Sequence, residues 1–340
     1  MKKFYFGFIT LILLFIPQIA QADGADFTIA PIQNQYQSGG NNSYFALKMP
    51  AKSTTTLNVT IYNTGKTPST LDVKVNSGIT DFKTDLSYAT TPKNGALSVP
   101  KNLQFSQIAT IPQKSVTVAP GAQATIQVNI ALPDTSFDGK ILGGITVTRE
   151  MRPDEKAQTG LKSQFAYAIP VVIRQNDQAV TPQLQANHLS IQTKANETSL
   201  AADIQNVTAT ILNGVTIETK LSDQTGHVVF TKKDANHSIA PQSNFTYLAS
   251  LSNQTIANGK YTYDMTITDD ANHKWTWEKT LTVDQQQSQK INNAAKHNTI
   301  KKPINWIIVG MIAMAVMIFL LLGALGYLLF KRQKKTPLSK

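Results

Sequence analysis

The chain has 340 residues, no cysteine and a formal net charge of +11. The excess sits at the ends: without Lys2, Lys3 and the five basic residues after Phe330, 25 basic groups face 21 acidic ones, a net of +4. With no basic stripe interleaved with aromatics, that balance excludes nucleic-acid binding, and the lack of Cys excludes a disulfide framework, so core burial alone must stabilise the fold.

Lys2 and Lys3 precede an apolar run from Phe4 to Ile16, followed by Pro17 and Ala20-Gln21-Ala22. A charged n-region, an h-region and an A-x-A site predict a signal peptide over residues 1–22, cleaved after Ala22. A Cys-free exported chain fits a Gram-positive surface. Residues 27–175 read as short strands. Leu57, Val59 and Ile61 alternate with Thr56, Asn58 and Thr60, the turn Asn63-Thr64-Gly65-Lys66 follows, and Leu71-Asp72-Val73-Lys74-Val75 alternates again. Val116 and Val118, then Ala119-Pro120-Gly121, then Ile126, Val128 and Ile130 give strand, turn, strand, closed by Pro133. One wet and one buried face is the pattern of an antiparallel sandwich. Gly143 and Gly144 interrupt the strand 140–149 and predict a bulge or a close backbone approach. With 164–174 this strand forms a hairpin, so a first domain over 27–150 takes its last strand from 164–174.

Residues 160–284 form the second expected domain. Seven strand candidates, 184–191, 199–209, 214–221, 227–232, 244–251, 260–269 and 274–283, are separated by turns at intervals of about ten residues, as in an immunoglobulin-like sandwich. Residues 285–303 are rich in Gln, Asn and Lys without periodicity and read as a flexible tether. Trp306 to Phe330 is apolar and uncharged, which predicts a transmembrane helix over 306–330 and a cytoplasmic tail over 331–340. The expected fold class is all-β, two immunoglobulin-like β-sandwich domains in tandem plus a C-terminal transmembrane helix. The expected location is the cell membrane, single-pass, with the N-terminal part outside.

No cluster of residues points to catalysis. His188, His227, His237, His273 and His297 show no metal-ligand spacing, and the adjacent pairs Asp269-Asp270 and Asp154-Glu155 point to opposite faces of any strand. They read as turn and loop groups, so no catalytic, cofactor or metal residue is assigned, no cofactor is expected, and the chain is not read as an enzyme. Leu132-Pro133-Asp134-Thr135-Ser136 lacks the Gly and the following span of a sorting signal and reads as a strand-ending turn. Trp275 and Trp277 share one strand face, as do Tyr261 and Tyr263. Either pair fills a core or presents an aromatic patch, with core favoured. Of the adjacent Tyr44 and Phe45, one ring packs inward and the other lies nearer solvent.

Several motifs occur in a set order: Phe27-x-Ile29-x-Pro31 with Gln35 and Ser43-Tyr44-Phe45, then Leu132-Pro133 leading to Gly139-x-Ile141-Leu142-Gly143-Gly144-Ile145. Tyr167-Ala168-Ile169-Pro170-Val171, Ile239-Ala240-Pro241-Gln242-Ser243-Asn244-Phe245 and Asn258-Gly259-x-Tyr261 follow. Together they resemble the WxL-interacting proteins of Gram-positive bacteria over nearly the whole chain. The resemblance implies a peptidoglycan domain followed by a host-binding domain, and a cell-surface scaffold that holds secreted WxL-domain proteins at the wall. Its partners would be WxL-domain proteins, peptidoglycan and host matrix proteins. None of Trp275, Trp277 and Trp306 opens a Trp-x-Leu motif, so the chain would receive WxL proteins and not be one. No partner-binding residue follows from the resemblance. Strand addition at an open sheet edge is the mechanism the many short strands suggest. The alternatives are a direct adhesin for host extracellular matrix and a wall-acting hydrolase, the latter disfavoured by the missing catalytic cluster.

Overall fold

Strict alternation puts Leu57, Val59 and Ile61 on one face of a strand, and the structure buries all three completely. The structure is a computed structural model. It describes residues 25–40, 43–89, 91–93, 95–157, 159, 164–300 and 306–333, except for the side chains of residues 154, 297–300, 306–308, 326 and 328–333. The expected signal peptide and the tail beyond residue 333 lie outside the described residues.

The strands of the first block are β1 (Phe27–Ile32), β2 (Phe45–Lys48), β3 (Thr54–Asn63), β4 (Ser69–Ser77), β5 (Ile79–Thr80) and β6 (Leu86–Ser87). A helical turn, α1 (Phe105–Ile108), leads to β7 (Ala109–Thr110), β8 (Ser115–Val118), β9 (Gln123–Ala131) and β10 (Ile141–Arg149). A short helix, α2 (Pro153–Ala157), precedes β11 (Ala166–Arg174). The strands form one sheet ordered β1-β3-β9-β7 and a second ordered β2-β11-β10-β4-β8. Phe27, Phe45 and Phe105 fill the core with the inward Val, Leu and Ile of both sheets. β10 and β11 pair antiparallel from Ile141↔Ile173 to Thr148↔Ala166, the hairpin anticipated from sequence.

The second block contributes β12 (Leu184–Lys194), β13 (Glu197–Asn206), β14 (Leu212–Asp223), β15 (Val228–Ile239), β16 (Asn244–Ser250), β17 (Gly259–Thr268) and β18 (Lys274–Val283). They are ordered β12-β13-β16 and β15-β14-β17-β18. All seven expected strands are present. β15 runs seven residues beyond its expected end at Lys232, because the polar run from Lys233 to Ser238 lies on an outer strand. There, register shifts against β14 replace alternation.

Contacts group the chain into two compact units. The first holds the described residues up to Ser190 together with Ala201–Ala249 and Thr262–Thr280, and the second holds Ile191–Leu200, Ser250–Tyr261 and the described residues from Leu281 onward. Within the first unit a buried polar joint ties the β5–β6 region to the β15–β16 turn. The Thr80 and Ser243 hydroxyls lie 2.7 Å apart, and the Ala240 N–H donates to Thr80 Oγ1 at 2.9 Å. The Asn244 N–H donates to the Ala96 carbonyl at 2.9 Å.

In the second unit the sequence expectation of a flexible tether over 285–303 is corrected. Residues Gln285–Ile300 form a helix, α3, that buries Ser288, Ile291, Ala294 and Ala295 on one face. Asp284 Oδ1 accepts the Gln287 N–H at 2.7 Å and starts the helix. Ser288 Oγ donates to the Ile256 carbonyl, while Asn292 Oδ1 accepts the Ile256 N–H, so the helix fixes the loop around Ile256 from both sides.

A last helix, α4, runs Trp306–Gln333. Among the described residues no helix is long and apolar enough to cross a membrane. The expected transmembrane helix over 306–330, and with it the single-pass membrane location, is therefore corrected: α4 stands as a helix whose described side chains are exposed.

Candidate functional site

Two adjacent glycines on β10 shape a groove on the outer face of the five-stranded sheet. Successive Cβ positions point to opposite faces. A Cβ on Gly143 would lie 2.0 Å from the Phe105 ring inside the core, and one on Gly144 would lie 2.5 Å from Tyr88 outside it. The pair thus serves close approach from both sides, and the ladder with β11 continues through it without a bulge. The Tyr88 carbonyl accepts from Asn76 Nδ2 at 2.7 Å and Thr146 Oγ1 at 3.1 Å, which pins the segment to the sheet.

Beside Tyr88 lies a cavity of about 460 Å³ whose lining includes Tyr44, Leu142, Val172, Lys140 and Arg174. Burial pushes the Tyr88 phenol up to about 12, so it is protonated and able to donate at neutral pH. Arg174 Nη2 lies 3.2 Å from Asp177 Oδ1 and 3.5 Å from Ser38 Oγ, and its Nε is buried without a hydrogen-bond partner among the described residues. Asp177 also pairs with Lys48, whose hydrogen bond holds its carboxyl below the usual range. The Lys140 N–H donates to the Ala209 carbonyl at 2.7 Å, while its ammonium forms no ion pair among the described residues. A second cavity of about 280 Å³ shares Lys140 and Arg174 with the first.

An open sheet edge adjoins the groove. The Arg149 N–H donates to the Phe165 carbonyl and the Met49 N–H to the Arg174 carbonyl. In an antiparallel ladder the odd positions of β11 therefore bond β10, and the even positions face the β2 side. β2 covers only Val171–Arg174, in parallel. Among the described residues the backbone of Ala166 and Ala168 thus faces outward beyond the end of β2, while the parallel pairing places the Phe45 N–H on the Pro170 carbonyl. Ala166, Tyr167 and Ala168 are exposed, and the Tyr167 ring meets Phe27 edge-on at 5.1 Å.

The residues singled out in the sequence fall as follows. Phe45 is fully buried, while its neighbour Tyr44 lines the groove. Tyr261 and Tyr263 are core residues. Trp275 and Trp277 are half-buried on β18, the outer strand of its sheet, so they neither fill a core nor stand free. The Asp269 carboxylate closes a turn by accepting the His273 N–H at 2.8 Å, and Glu155 grips Arg149 through two oxygens at 2.9 Å each. His188 and His227 are exposed, His237 sits 3.6 Å from Asp85, and the His297 side chain lies outside the described residues. Among the described residues no three metal-ligating side chains cluster. The Ile239–Phe245 motif builds the buried joint. Sequence reasoning missed Lys140, Tyr88 and Arg174, whose only signal was the glycine pair opposite Tyr88.

The description "WxL Interacting Protein, peptidoglycan binding domain" matches residues 27–149, and "WxL Interacting Protein, host binding domain" matches residues 156–293. No curated protein matches the chain. Among solved structures, the YadV chaperone is 14% identical, with 75% of this chain and 100% of that one covered and a TM-score of 0.32. The Pseudomonas aeruginosa CupB2 chaperone is 13% identical, covering 67% and 92%, with a TM-score of 0.27. The E. coli chaperone DraB is 15% identical, covering 68% and 92%, with a TM-score of 0.28. These likenesses are loose in sequence and in geometry.

Proposed function

Because the chain belongs to the WxL-interacting protein family, we propose that it is a cell-surface scaffold that holds WxL-domain proteins at the cell wall without catalysing a reaction. The observation that carries this reading is the tandem match, a peptidoglycan-binding description followed by a host-binding one, in one chain. The first block, over 27–150 with its last strand from 164–174, would contact peptidoglycan. The second, over 160–284, would face the host.

The open stretch of β11 supports a non-covalent mechanism. An extended segment of a WxL protein adds alongside Ala166–Ala168 in line with β2, using main-chain hydrogen bonds for affinity. Pro170 supplies no N–H and its carbonyl is taken up by β2, so the added strand bonds only Ala166 and Ala168. Amide hydrogen exchange on the complex with a purified WxL-domain protein tests this. Slowed exchange at Ala166 and Ala168 is expected. A complex that leaves both amides unchanged contradicts strand addition at this edge.

A second reading, direct adhesion to host matrix, is favoured by the host-binding match and by the half-buried Trp275 and Trp277 on the outer strand β18. Retention of the chain on fibronectin or collagen with WxL proteins absent would support it.

A further inference from the structure

We propose that the groove over β10 and β11 binds a carboxylate-bearing peptidoglycan fragment, with Lys140 and Arg174 holding the carboxylate and Tyr44 and Tyr88 flanking the adjoining sugar. The inference rests on the wall-contact part of the function proposed above and gives it a ligand class and a site.

The groove is rich in donors and poor in acceptors. Lys140 has no ionic partner among the described residues, Arg174 keeps a buried Nε without a partner, and the Tyr88 hydroxyl makes no hydrogen bond among the described residues. The acid paired with Arg174, Asp177, is shared with Lys48. Such a set satisfies an oxyanion, and a carboxylate is an oxyanion that peptidoglycan carries on its peptide stems. The volume, about 460 Å³, is that of a small-ligand site. The second cavity is lined by the same two cations, which suits a ligand that is part of a longer polymer. Tyrosine faces and hydroxyls meet both the apolar side and the polar rim of a sugar ring.

The test titrates three probes into the full chain by calorimetry. They are a disaccharide–tripeptide muropeptide, the same muropeptide with its carboxylates amidated, and a glycerol-phosphate oligomer standing for wall polyphosphates. Lys140→Gln and Arg174→Gln are each compared with the parent chain, and Lys140→Gln leaves the backbone bond to Ala209 in place. Amidation and either substitution are expected to weaken muropeptide binding roughly tenfold, as for a lost hydrogen bond to a charged group. The amidated probe is expected to bind parent and variants alike. Muropeptide binding that ignores both substitutions overturns the groove but leaves the wall-contact reading standing. Tighter binding of glycerol phosphate, lost in the same variants, overturns the carboxylate assignment. Failure of the parent chain to bind either muropeptide or insoluble peptidoglycan overturns the wall-contact reading itself.

Discussion

Two buried asparagines do the same work in the two blocks. Asn63 ends β3, and its Nδ2 donates to the Thr67 and Val118 carbonyls at 2.8 Å each, while its N–H donates to the Ala122 carbonyl at 3.0 Å. Asn206 ends β13, and its Nδ2 donates to the Thr210 and Ala240 carbonyls at 2.8 and 3.0 Å, with its N–H on the Ser243 carbonyl at 2.9 Å. Each thus closes an Ala-Pro turn, and that turn places Gly121 (φ 68°) in the first block and Gln242 (φ 47°) in the second. Glycine adopts that conformation without strain and glutamine does not, so Gln242→Gly should stabilise the chain by about 1 kcal/mol in urea unfolding. Gly143→Ala and Gly144→Ala should each cost about 1–3 kcal/mol in the same assay, since Phe105 or Tyr88 must move. Glu155 shows a different dependence. The hydrogen bond from Arg149 lowers its carboxyl from 4.5 to about 2. A depressed folded value means the stabilisation is full above about pH 4.5 and is lost as pH falls toward about 2. Glu155→Gln should flatten that part of a stability–pH profile; an unchanged slope would show that the carboxylate does not matter there.

At the scale of elements, strands with one clean buried face were readable from residues such as Leu57, Val59 and Ile61, and so was the β10–β11 hairpin. The helix α3 was not, because its buried face holds one large apolar side chain, Ile291, among Ser288, Ala294 and Ala295, and its surface is glutamine and asparagine. Its order comes from Asp284 and from the Ile256 backbone, both distant from any periodic signal. Ile291→Ala should therefore cost about 2–5 kcal/mol, as for a buried aliphatic truncation, and Asp284→Ala about 1 kcal/mol as a lost cap. Amides of α3 exchanging as fast as free coil would contradict the packed helix. The groove was illegible for a related reason: Tyr44, Tyr88, Lys140 and Arg174 come from four separate segments that only sheet order brings together. The apolar run 306–330 was legible as a helix, while its reading as a membrane span is not upheld among the described residues.

For the molecule as a whole, the buried joint between Thr80 and Ser243 gives the Ile239–Phe245 motif a structural role. Thr80→Val removes the acceptor of the buried Ala240 N–H and should cost about 1–3 kcal/mol. The function proposed above uses two surfaces that this scaffold holds in place, the groove and the open edge of β11. The central claim, a scaffold for WxL-domain proteins, is tested most directly by capture. The chain is immobilised, exposed to a cell-wall extract of its source, and the retained proteins are identified by mass spectrometry. The account predicts recovery of secreted proteins carrying paired Trp-x-Leu motifs. A folded bait that retains none of them from an extract shown to contain them would contradict it.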